Sequence, residues 1–395
     1  MNLNADEVSM EPARPAGMPW VPVISLSLFA VAAGYLMSLI PLALAPLKMP
    51  PHLAAWLASA FYGGLLLGAT FSARIVGAMK HRAAFVLFLS VLLTTIAAMA
   101  AVPGQGVWLV SRFIAGVAVA GIFVVVESWL LMADDDKQRA KRLGFYMTSL
   151  YGGNALGQLG IGYIGVEGLM PYVFVGVLIA LAILPPLFFK HGEPQDVGHV
   201  SISFSELKKL RKAAYIGCLV SGLTLGAVYG LLPVYLNMRV ADHQQVGALM
   251  ALVVVGGMVV QPVVSYLSGR MSKVLLMAMF CIIGSGAVAV AVISQNYAVM
   301  AGALLVLGAA VFALYPIAIT HGCTTLTKAQ IVAATEVLLL SYSVGSVIGP
   351  VLADNVFESK HGIMVYLAAC MISTAVYMII VYFRDRRHMP NLSAA

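Results

Sequence analysis

Residues 107–133 read VWLVSRFIAGVAVAGIFVVVESWLLMA, an apolar run in which only Arg112 and Glu127 carry formal charges. A helix needs about 20 predominantly apolar residues to cross the hydrocarbon core of a bilayer. The run is therefore long enough to span a membrane, and both ionisable side chains would lie within the span. Outward from it in both directions, the same pattern recurs along the chain.

Twelve such apolar runs follow one another, and the gaps between them hold most of the charged residues. The runs cover residues 20–45, 53–73, 83–103, 107–133, 143–165, 169–189, 213–237, 246–268, 274–294, 297–321, 331–354 and 362–383. Hydrophobic residues make up 61% of the 395 residues and charged residues 10%, with a mean hydropathy of +0.95. A soluble domain has about 25% charged residues, and a transmembrane β-barrel has short alternating segments. The sequence predicts an all-α membrane protein with twelve transmembrane helices, and it excludes a soluble enzyme.

The twelve runs divide into two sets of six. We expect a cytoplasmic tail at 1–19, an N-terminal six-helix half at 20–189, a cytoplasmic linker at 190–212, a C-terminal six-helix half at 213–383 and a cytoplasmic tail at 384–395. The first segment is acidic and rich in proline, unlike the basic start of a cleaved signal peptide. The 4 cysteines are far apart and lack metal-binding spacing. We therefore expect no disulfide, no metal and no cofactor.

Basic residues fall mainly on one side of the predicted membrane. If the N-terminus is cytoplasmic, 19 of the 23 Lys and Arg residues lie on the cytoplasmic side, and three (Lys48, Arg239 and Lys360) lie on the other. Cytoplasmic loops of inner-membrane proteins carry this excess. We therefore expect a multi-pass protein of the bacterial inner membrane with both termini in the cytoplasm. The net charge of +7 does not then indicate a nucleic-acid partner.

The two halves repeat each other at an offset of 192 residues. The matched pairs are Gly34 and Gly226, Pro41 and Pro233, Gly116 and Gly308, Gly153 and Gly345, and Gly157 and Gly349. Small residues let helix backbones approach closely in a bilayer, and prolines allow a helix to bend. Two similar six-helix halves around a central cavity are the architecture of a carrier that works by alternating access.

Short motifs add a family resemblance to this pattern. The fourth span contains R-x-x-x-G at Arg112 and Gly116, and residues 125–128 (VVES), 153–158 and 340–350 (LSYSVGSVIGP) carry further matches. Over its whole length the chain resembles the major facilitator superfamily, and these motifs most resemble its YcaD-type permeases. The resemblance implies two pseudo-symmetric six-helix halves that transport a solute. It implies a fold more than a function, because the substrate of that branch is not defined.

The sequence departs from the superfamily pattern at two places that concern gating and coupling. The loop after the second span usually carries G-x-x-x-D-R-x-G-R-[RK], but Ser72 holds the aspartate position, and Gly269 does so in the second copy. Arg74 and Arg270 are therefore either gate residues or basic markers of the cytoplasmic side. The acidic residue that many proton-driven drug pumps carry in the first span is missing from residues 20–50.

Ionisable groups inside a span are costly and indicate function by default. Arg112 and Glu127 share one helix face with Gly116, Ala120 and Phe123, but about 22 Å of helix separates them, so they cannot pair. We hypothesise that Glu127 binds the coupling proton, because burial disfavours a charged carboxylate. Arg112 would either neutralise it indirectly or bind an anionic group of the substrate. A structural ion network at the helix ends is the alternative for both.

Other polar residues of the spans are weaker candidates. Glu336 could take part in coupling or reach the interface, His321 could be interfacial or part of a gate, and we expect Asp354 in water at a helix end. Candidates for lining the substrate cavity are Asn154, Gln158, Tyr151, Tyr229, Gln261, Tyr315 and Tyr342. Candidates for gating or helix packing are Arg74, Arg270, Gly116, Gly153, Gly157, Gly345, Gly349 and Pro350. Aromatic and amide groups with few charges suit an amphiphilic organic solute.

We therefore expect a secondary active transporter that moves a small amphiphilic molecule by alternating access, coupled to protons, with export favoured by the habit of the family. Its partners would be the solute, protons and the lipid bilayer, and the monomer would be the functional unit. The chain has no G-x-x-x-x-G-K-[ST] motif and no protease constellation, so we do not expect an enzyme. Two alternatives stay open: a proton-coupled uptake permease for a nutrient or metal-chelating metabolite, and a non-transporting sensor or scaffold.

Overall fold

A computed structural model describes residues 20–131, 136–189, 211–240, 242–324, 328–355 and 361–387. The predicted N-terminal tail, nearly all of the linker and most of the C-terminal tail lie outside these residues. The described part contains twelve α-helices: α1 Trp20–Leu42, α2 Leu53–Met79, α3 His81–Ala101, α4 Gln105–Leu131, α5 Asp136–Ile164, α6 Met170–Phe188, α7 Lys212–Val240, α8 His243–Ser268, α9 Lys273–Ile293, α10 Tyr297–Cys323, α11 Lys328–Asn355 and α12 Gly362–Arg387. The predicted all-α membrane fold is confirmed.

One helix differs from the others in its polarity. Within the described residues, eleven helices are long and apolar enough to cross a membrane, and α5 is the exception. It begins at Asp136, before the predicted span, and Lys141 and Arg142 lie in its first turns. Asn154 and Gln158 then interrupt its apolar stretch. Because α5 packs against α1 and α8, these amides are buried in protein and do not face lipid.

Side chains cap two of the helix starts at one end of the molecule. Asp242 accepts a hydrogen bond from the backbone N–H of Gln244 at 3.0 Å, at the start of α8. Asn296 accepts from the N–H groups of Ala298 and Val299 at 2.9 and 3.3 Å, at the start of α10. The first backbone N–H groups of a helix have no partner within it, and caps satisfy them. The caps therefore define where α8 and α10 begin.

The helices of the two halves pair in the same way. In the first half α1 packs along α5 and α2 along α4, and in the second half α7 packs along α11 and α8 along α10. The predicted packing glycines lie in these interfaces: Gly153 and Gly157 contact α1, and Gly345 and Gly349 contact α7. Equivalent interfaces in the two halves explain why the glycines share one offset along the sequence.

A single glycine permits the α2–α4 crossing and its counterpart in the other half. A methyl group at Gly116 of α4 would overlap the carbonyl oxygen of Phe61 in α2. A methyl group at Gly308 of α10 would overlap the carbonyl oxygen of Val253 in α8. Gly116 and Gly308 are related by the offset of 192 residues, and so are their partners Phe61 and Val253. The R-x-x-x-G motif thus brings the backbone of α2 against α4, one helical turn from Arg112.

The two halves meet at one end of the molecule, which we call the closed end. α5 packs against α8 there, and α2 packs against α7 and α11. The contacting residues are Gly162 with Gln244, Gly247 with Gln158, and Gly230 with Ala58. Pro350 of α11 lies beside Gly226 and Gly230 of α7. The other end of the molecule, where α4 and α10 finish, is called the opposite end.

Candidate functional site

A cavity of about 320 Å³ lies between the two halves. Helices α1 to α5 form most of its lining, and α7, α10 and α11 form the rest. The aromatic residues that line it are Phe29, Phe61, Tyr62, Phe123, Tyr151, Tyr229, Phe312 and Tyr342. Ligand pockets for small organic molecules are mostly apolar with a few placed polar groups, and they occur between helices of bundles. The cavity therefore has the size and chemistry of a small-molecule site.

Side chains of the C-terminal half form an aromatic wall of this cavity, consisting of Tyr229, Phe312 and Tyr342. The Phe312 ring makes edge contacts with Tyr229 at 6.1 Å and with Tyr151 of α5 at 5.7 Å between centroids. Tyr342 packs on Tyr315 at 4.9 Å. Tyr151 belongs to the first half and Phe312 to the second, so this ring contact joins the halves at the cavity.

Arg112 of α4 brings a positive charge to the cavity. Its guanidinium carbon lies 4.3 Å from the centre of the Phe61 ring, and its Nε atom is buried without a hydrogen-bond partner. In the described part of the chain Arg112 has neither a hydrogen bond nor an ion pair. A cation–π contact contributes about 0.5–2 kcal/mol, whereas burying an unpaired ion costs several kcal/mol. Arg112 is half-buried, and the contact with Phe61 does not replace the hydrogen bonds that its buried Nε atom lacks.

Asn154 of α5 is the amide of the cavity lining. Its Nδ2 group donates to the carbonyl oxygen of Leu150 at 2.8 Å, and its Oδ1 atom is buried without a partner. The backbone of Asn154 lies directly against Gly34 of α1, so the α1–α5 crossing determines where the amide sits. Asn154 and Arg112 are on different helices and line one cavity.

Four of the predicted cavity residues line this cavity, namely Tyr151, Asn154, Tyr229 and Tyr342. Three others lie elsewhere. Gln158 is buried near the closed end and accepts a hydrogen bond from Ser38, the Gln261 amide donates to the backbone of its own helix at 3.0 Å, and Tyr315 packs on Tyr342. A polar residue on an inner helix face can contact a neighbouring helix as readily as a cavity, and sequence spacing does not separate these cases.

Glu127 lies in the last turns of α4, near the opposite end of the molecule and away from the cavity. Its Oε1 atom accepts a hydrogen bond from the Tyr146 hydroxyl of α5 at 2.8 Å. It also lies within electrostatic range of Tyr315 on α10, in the other half. The Glu127 side chain is nevertheless exposed. Glu127 is thus exposed and close to the other half. It therefore lies at an opening between the two halves.

The remaining ionisable residues of the spans are spread over both ends. Glu336 of α11 is exposed, and His321 is buried in the last turn of α10. Asp354 is half-buried near the end of α11 and lies within electrostatic range of His52, which precedes α2. The described residues contain no group of three or more His, Cys, Asp or Glu side chains that could hold a metal ion.

The two arginines proposed for gating are on the surface. Arg74 in α2 is exposed, and so is Arg270, which follows α8. The Arg270 guanidinium carbon lies 3.6 Å from the centre of the Tyr266 ring. Neither arginine forms an ion pair with another residue that the structure describes.

Sequence reasoning missed Phe61, Tyr62, Phe312 and Tyr146. Phe61 and Tyr62 directly precede the Gly63–Gly64 pair, and the matching glycines of the two halves could have identified this turn of α2 as the part that meets α4. Phe312 has no comparable signal, because an aromatic residue in an apolar run can face lipid, a neighbouring helix or a cavity. Tyr146 lies near the start of a predicted span, where tyrosines usually belong to the interfacial belt.

Comparisons with known proteins agree with this architecture. A relative from Escherichia coli, described as the uncharacterised MFS-type transporter YcaD, is 32% identical over 371 residues, which cover 93% of this chain and 95% of the relative. A crystal structure of a mutant of the nucleoside transporter NupG has a TM-score of 0.78 at 14% identity and covers 92% of this chain and 98% of its own. The Escherichia coli fucose:proton symporter FucP has a TM-score of 0.62 at 16% identity, with 94% and 99% covered. At these identities the two structures show a shared fold.

The family assignment rests on a match over most of the chain. The sequence model of the Major Facilitator Superfamily matches residues 23–350. This range extends from the start of α1 to Pro350 in α11 and includes both sets of paired helices. The chain therefore belongs to the major facilitator superfamily, a family of multi-span membrane transporters.

Proposed function

We propose that this protein is a proton-coupled secondary transporter that moves a small amphiphilic organic molecule across the bacterial inner membrane by alternating access. The observation that carries the proposal is the cavity between the halves, closed at one end of the molecule. A cavity inside one chain that both halves line is what a carrier needs in order to present a solute to each side in turn. The monomer is then the functional unit.

The exposure of Glu127 supports a cavity that opens toward the opposite end of the molecule. Helix contacts between the halves lie at the closed end, whereas Glu127 is exposed at the opposite end. The excess of Lys and Arg in the loops at the opposite end supports a cytoplasmic location for that end. We infer that the structure corresponds to a state that faces the cytoplasm, with both termini on that side.

Glu127 is the proposed proton site. A carboxyl group between two halves of a transporter changes its charge when it binds a proton, so protonation can bias the equilibrium between two arrangements of those halves. Tyr146 donates a hydrogen bond to Glu127 and positions it. Glu336 of α11 is a second candidate for this role, and Arg74 and Arg270 are candidates for contacts that form when the opposite end closes.

The test is solute accumulation in proteoliposomes with an imposed pH gradient of either direction. The vesicles are incubated with a mixture of small organic acids, amides and amines, and mass spectrometry identifies the solutes retained inside. If the protein is a symporter, we expect accumulation when the outside is acidic. If it is an antiporter, we expect accumulation when the inside is acidic. An antiporter would export the solute from the cell, which is the direction that the family resemblance favours. Protein-free vesicles measure passive diffusion.

A matched pair of variants tests the proton site. Glu127→Gln should lower pH-driven accumulation at least about tenfold, a loss of about 1.4 kcal/mol of coupling or more. Glu167→Gln, an exposed residue between α5 and α6, removes the same charge and should behave as wild type. Unchanged accumulation in Glu127→Gln would remove Glu127 from the mechanism. Accumulation that ignores the pH gradient in wild type would remove proton coupling.

A further inference from the structure

The cavity holds a half-buried arginine, Arg112, for which the described residues provide no counter-charge. We propose that the transported molecule is an amphiphilic organic anion, whose carboxylate or similar group binds Arg112 and whose apolar body lies against the aromatic wall of Tyr229, Phe312 and Tyr342. This inference rests on the proposed transport function, since it names the substrate class of the same cavity. It concerns the charge of the solute, which the proposed function leaves open.

Arg112 is the charged residue of the cavity lining. The other lining residues are apolar, aromatic or amide side chains. Glu127 lies about 22 Å away along α4, the distance that 15 residues of helix span. Among the described residues, none forms an ion pair with Arg112, and Tyr62 of α2, a neutral phenol, lies within electrostatic range of it. An anion that enters the cavity therefore meets a guanidinium without a competing carboxylate.

The geometry around Arg112 leaves its donors available. The guanidinium carbon of Arg112 lies over the Phe61 ring, 4.3 Å from its centre, and Gly116 brings the backbone of α2 against α4 at this level. A cation–π contact uses none of the hydrogen bonds of the guanidinium, and Arg112 forms no hydrogen bond among the described residues. A planar fork of N–H groups matches a carboxylate with two parallel hydrogen bonds. Phe61 thus contacts Arg112 without using its donors.

The rest of the cavity suits an aromatic or aliphatic body. Tyr229, Phe312 and Tyr342 present ring surfaces from three helices of the other half. An anion bound to Arg112 in the first half would reach these rings across the cavity, so it would contact both halves at once. An amine would be repelled by Arg112, and a neutral solute would leave the guanidinium without a partner.

The experiment measures the Tm of the purified full-length protein in detergent with matched probe sets. Each set holds a carboxylate, its amide and its amine on one skeleton: benzoate, phenylbutanoate and naphthylacetate with their counterparts. We expect at least one carboxylate to raise the Tm of wild type at a concentration on the order of tenfold lower than its amide or amine requires. Carboxylates that bind no better than their amides in all three sets overturn the proposal.

Three variants locate the effect at Arg112. Arg112→Met removes the charge and keeps much of the volume, so it should abolish the preference for carboxylates and raise the Tm of the ligand-free protein, because an unpaired buried charge is gone. Arg112→Lys keeps the charge without the fork and should weaken carboxylate binding several-fold. Arg384→Met changes an exposed arginine of α12 and should match wild type. A carboxylate preference that survives in Arg112→Met, or in Arg112→Lys at wild-type strength if the Met variant does not fold, contradicts the proposal.

The binding and flux experiments separate this inference from the proposed function. Carboxylate-selective binding at Arg112 without pH-driven accumulation would leave the anion site standing and contradict coupled transport. Accumulation of amines or neutral solutes at equal rates in wild type and Arg112→Met would support transport and overturn the anion site.

Discussion

The two halves of this protein have the same packing but different chemistry. Gly116 and Gly308 permit equivalent crossings, and each lies against a backbone carbonyl that is also related by the offset of 192 residues. At the same offset, however, Arg112 corresponds to Leu304 and Glu127 to Ile319. At these two positions the first half carries ionisable residues and the second half aliphatic ones, whereas Glu336 of the second half corresponds to Gly144.

The aromatic wall shows the opposite asymmetry. Tyr229 corresponds to Met37, Phe312 to Ala120 and Tyr342 to Leu150. Residues that repeat between the halves build the helix crossings, because both halves must pack six helices in a bilayer. Residues that do not repeat include Arg112 of the first half and the three residues of the aromatic wall of the second half, all of which line the cavity. The residues that repeat between the halves thus account for the fold, whereas Arg112 and the aromatic wall, which do not repeat, identify the cavity.

The largest effect is expected where the halves are alike. Gly116→Val and Gly308→Val should each lower the free energy of unfolding by more than about 3 kcal/mol, because the added atoms overlap backbone that cannot move aside. Yield of monodisperse protein and Tm measure this loss. Gly302→Val in α10, where an added Cβ meets no atom within 4 Å, is the control. Tolerance of valine at Gly116 or Gly308 would contradict the equivalence of the two crossings.

A smaller effect, on the binding of the solute, is expected at the aromatic wall of the second half. Tyr229→Leu and Phe312→Leu should each weaken binding of phenylbutanoate about three- to tenfold, since ring–ring contacts contribute about 0.5–1.5 kcal/mol beyond the area buried. Titration of the Tm shift measures the change. Tyr163→Leu, on an exposed part of α5, is the matched control and should bind as wild type. Equal affinities in all three variants would indicate that the aromatic wall does not contact the solute.

The smallest effect is expected for the hydroxyl that positions Glu127. Tyr146→Phe removes one hydrogen bond of about 1 kcal/mol, so pH-driven accumulation in proteoliposomes should slow a few-fold, less than in Glu127→Gln. In the double variant, Tyr146→Phe should cause no further loss of accumulation beyond that of Glu127→Gln, because the effects of residues that act through one another do not add. Additive losses would show that Tyr146 acts independently of Glu127.

The fold could be predicted from the sequence because a bilayer leaves few options. Runs of about 20 apolar residues must be helices, since every backbone group has to bond within its own segment, and all twelve helices were expected. The glycine pairs also predicted where helix backbones approach each other closely, because small residues permit backbone contact in lipid, but the partner of each helix came from the structure. α5 was the least apolar of the predicted helices, and it is tolerated because α1 and α8 bury its polar side chains.

The candidate site was predicted only in part. Arg112, Tyr151, Asn154, Tyr229 and Tyr342 were expected in the cavity because polar groups near mid-span are costly in lipid. Apolar aromatic residues at the cavity carry no such signal, since they are equally stable against lipid, which is why the phenylalanines of α2 and α10 were missed. Which inner face meets a cavity and which meets a neighbouring helix depends on the three-dimensional arrangement of the helices.

Alternating access is the central claim, and a distance measurement across the closed end tests it most directly. Spin labels at Tyr163→Cys of α5 and Gln245→Cys of α8, in a variant without its four native cysteines, report the separation of the halves by pulsed electron paramagnetic resonance in liposomes. We predict two populated distances, a short one that corresponds to this structure and a longer one, with populations that change with pH or with added phenylbutanoate. One short distance under all of these conditions would contradict the account.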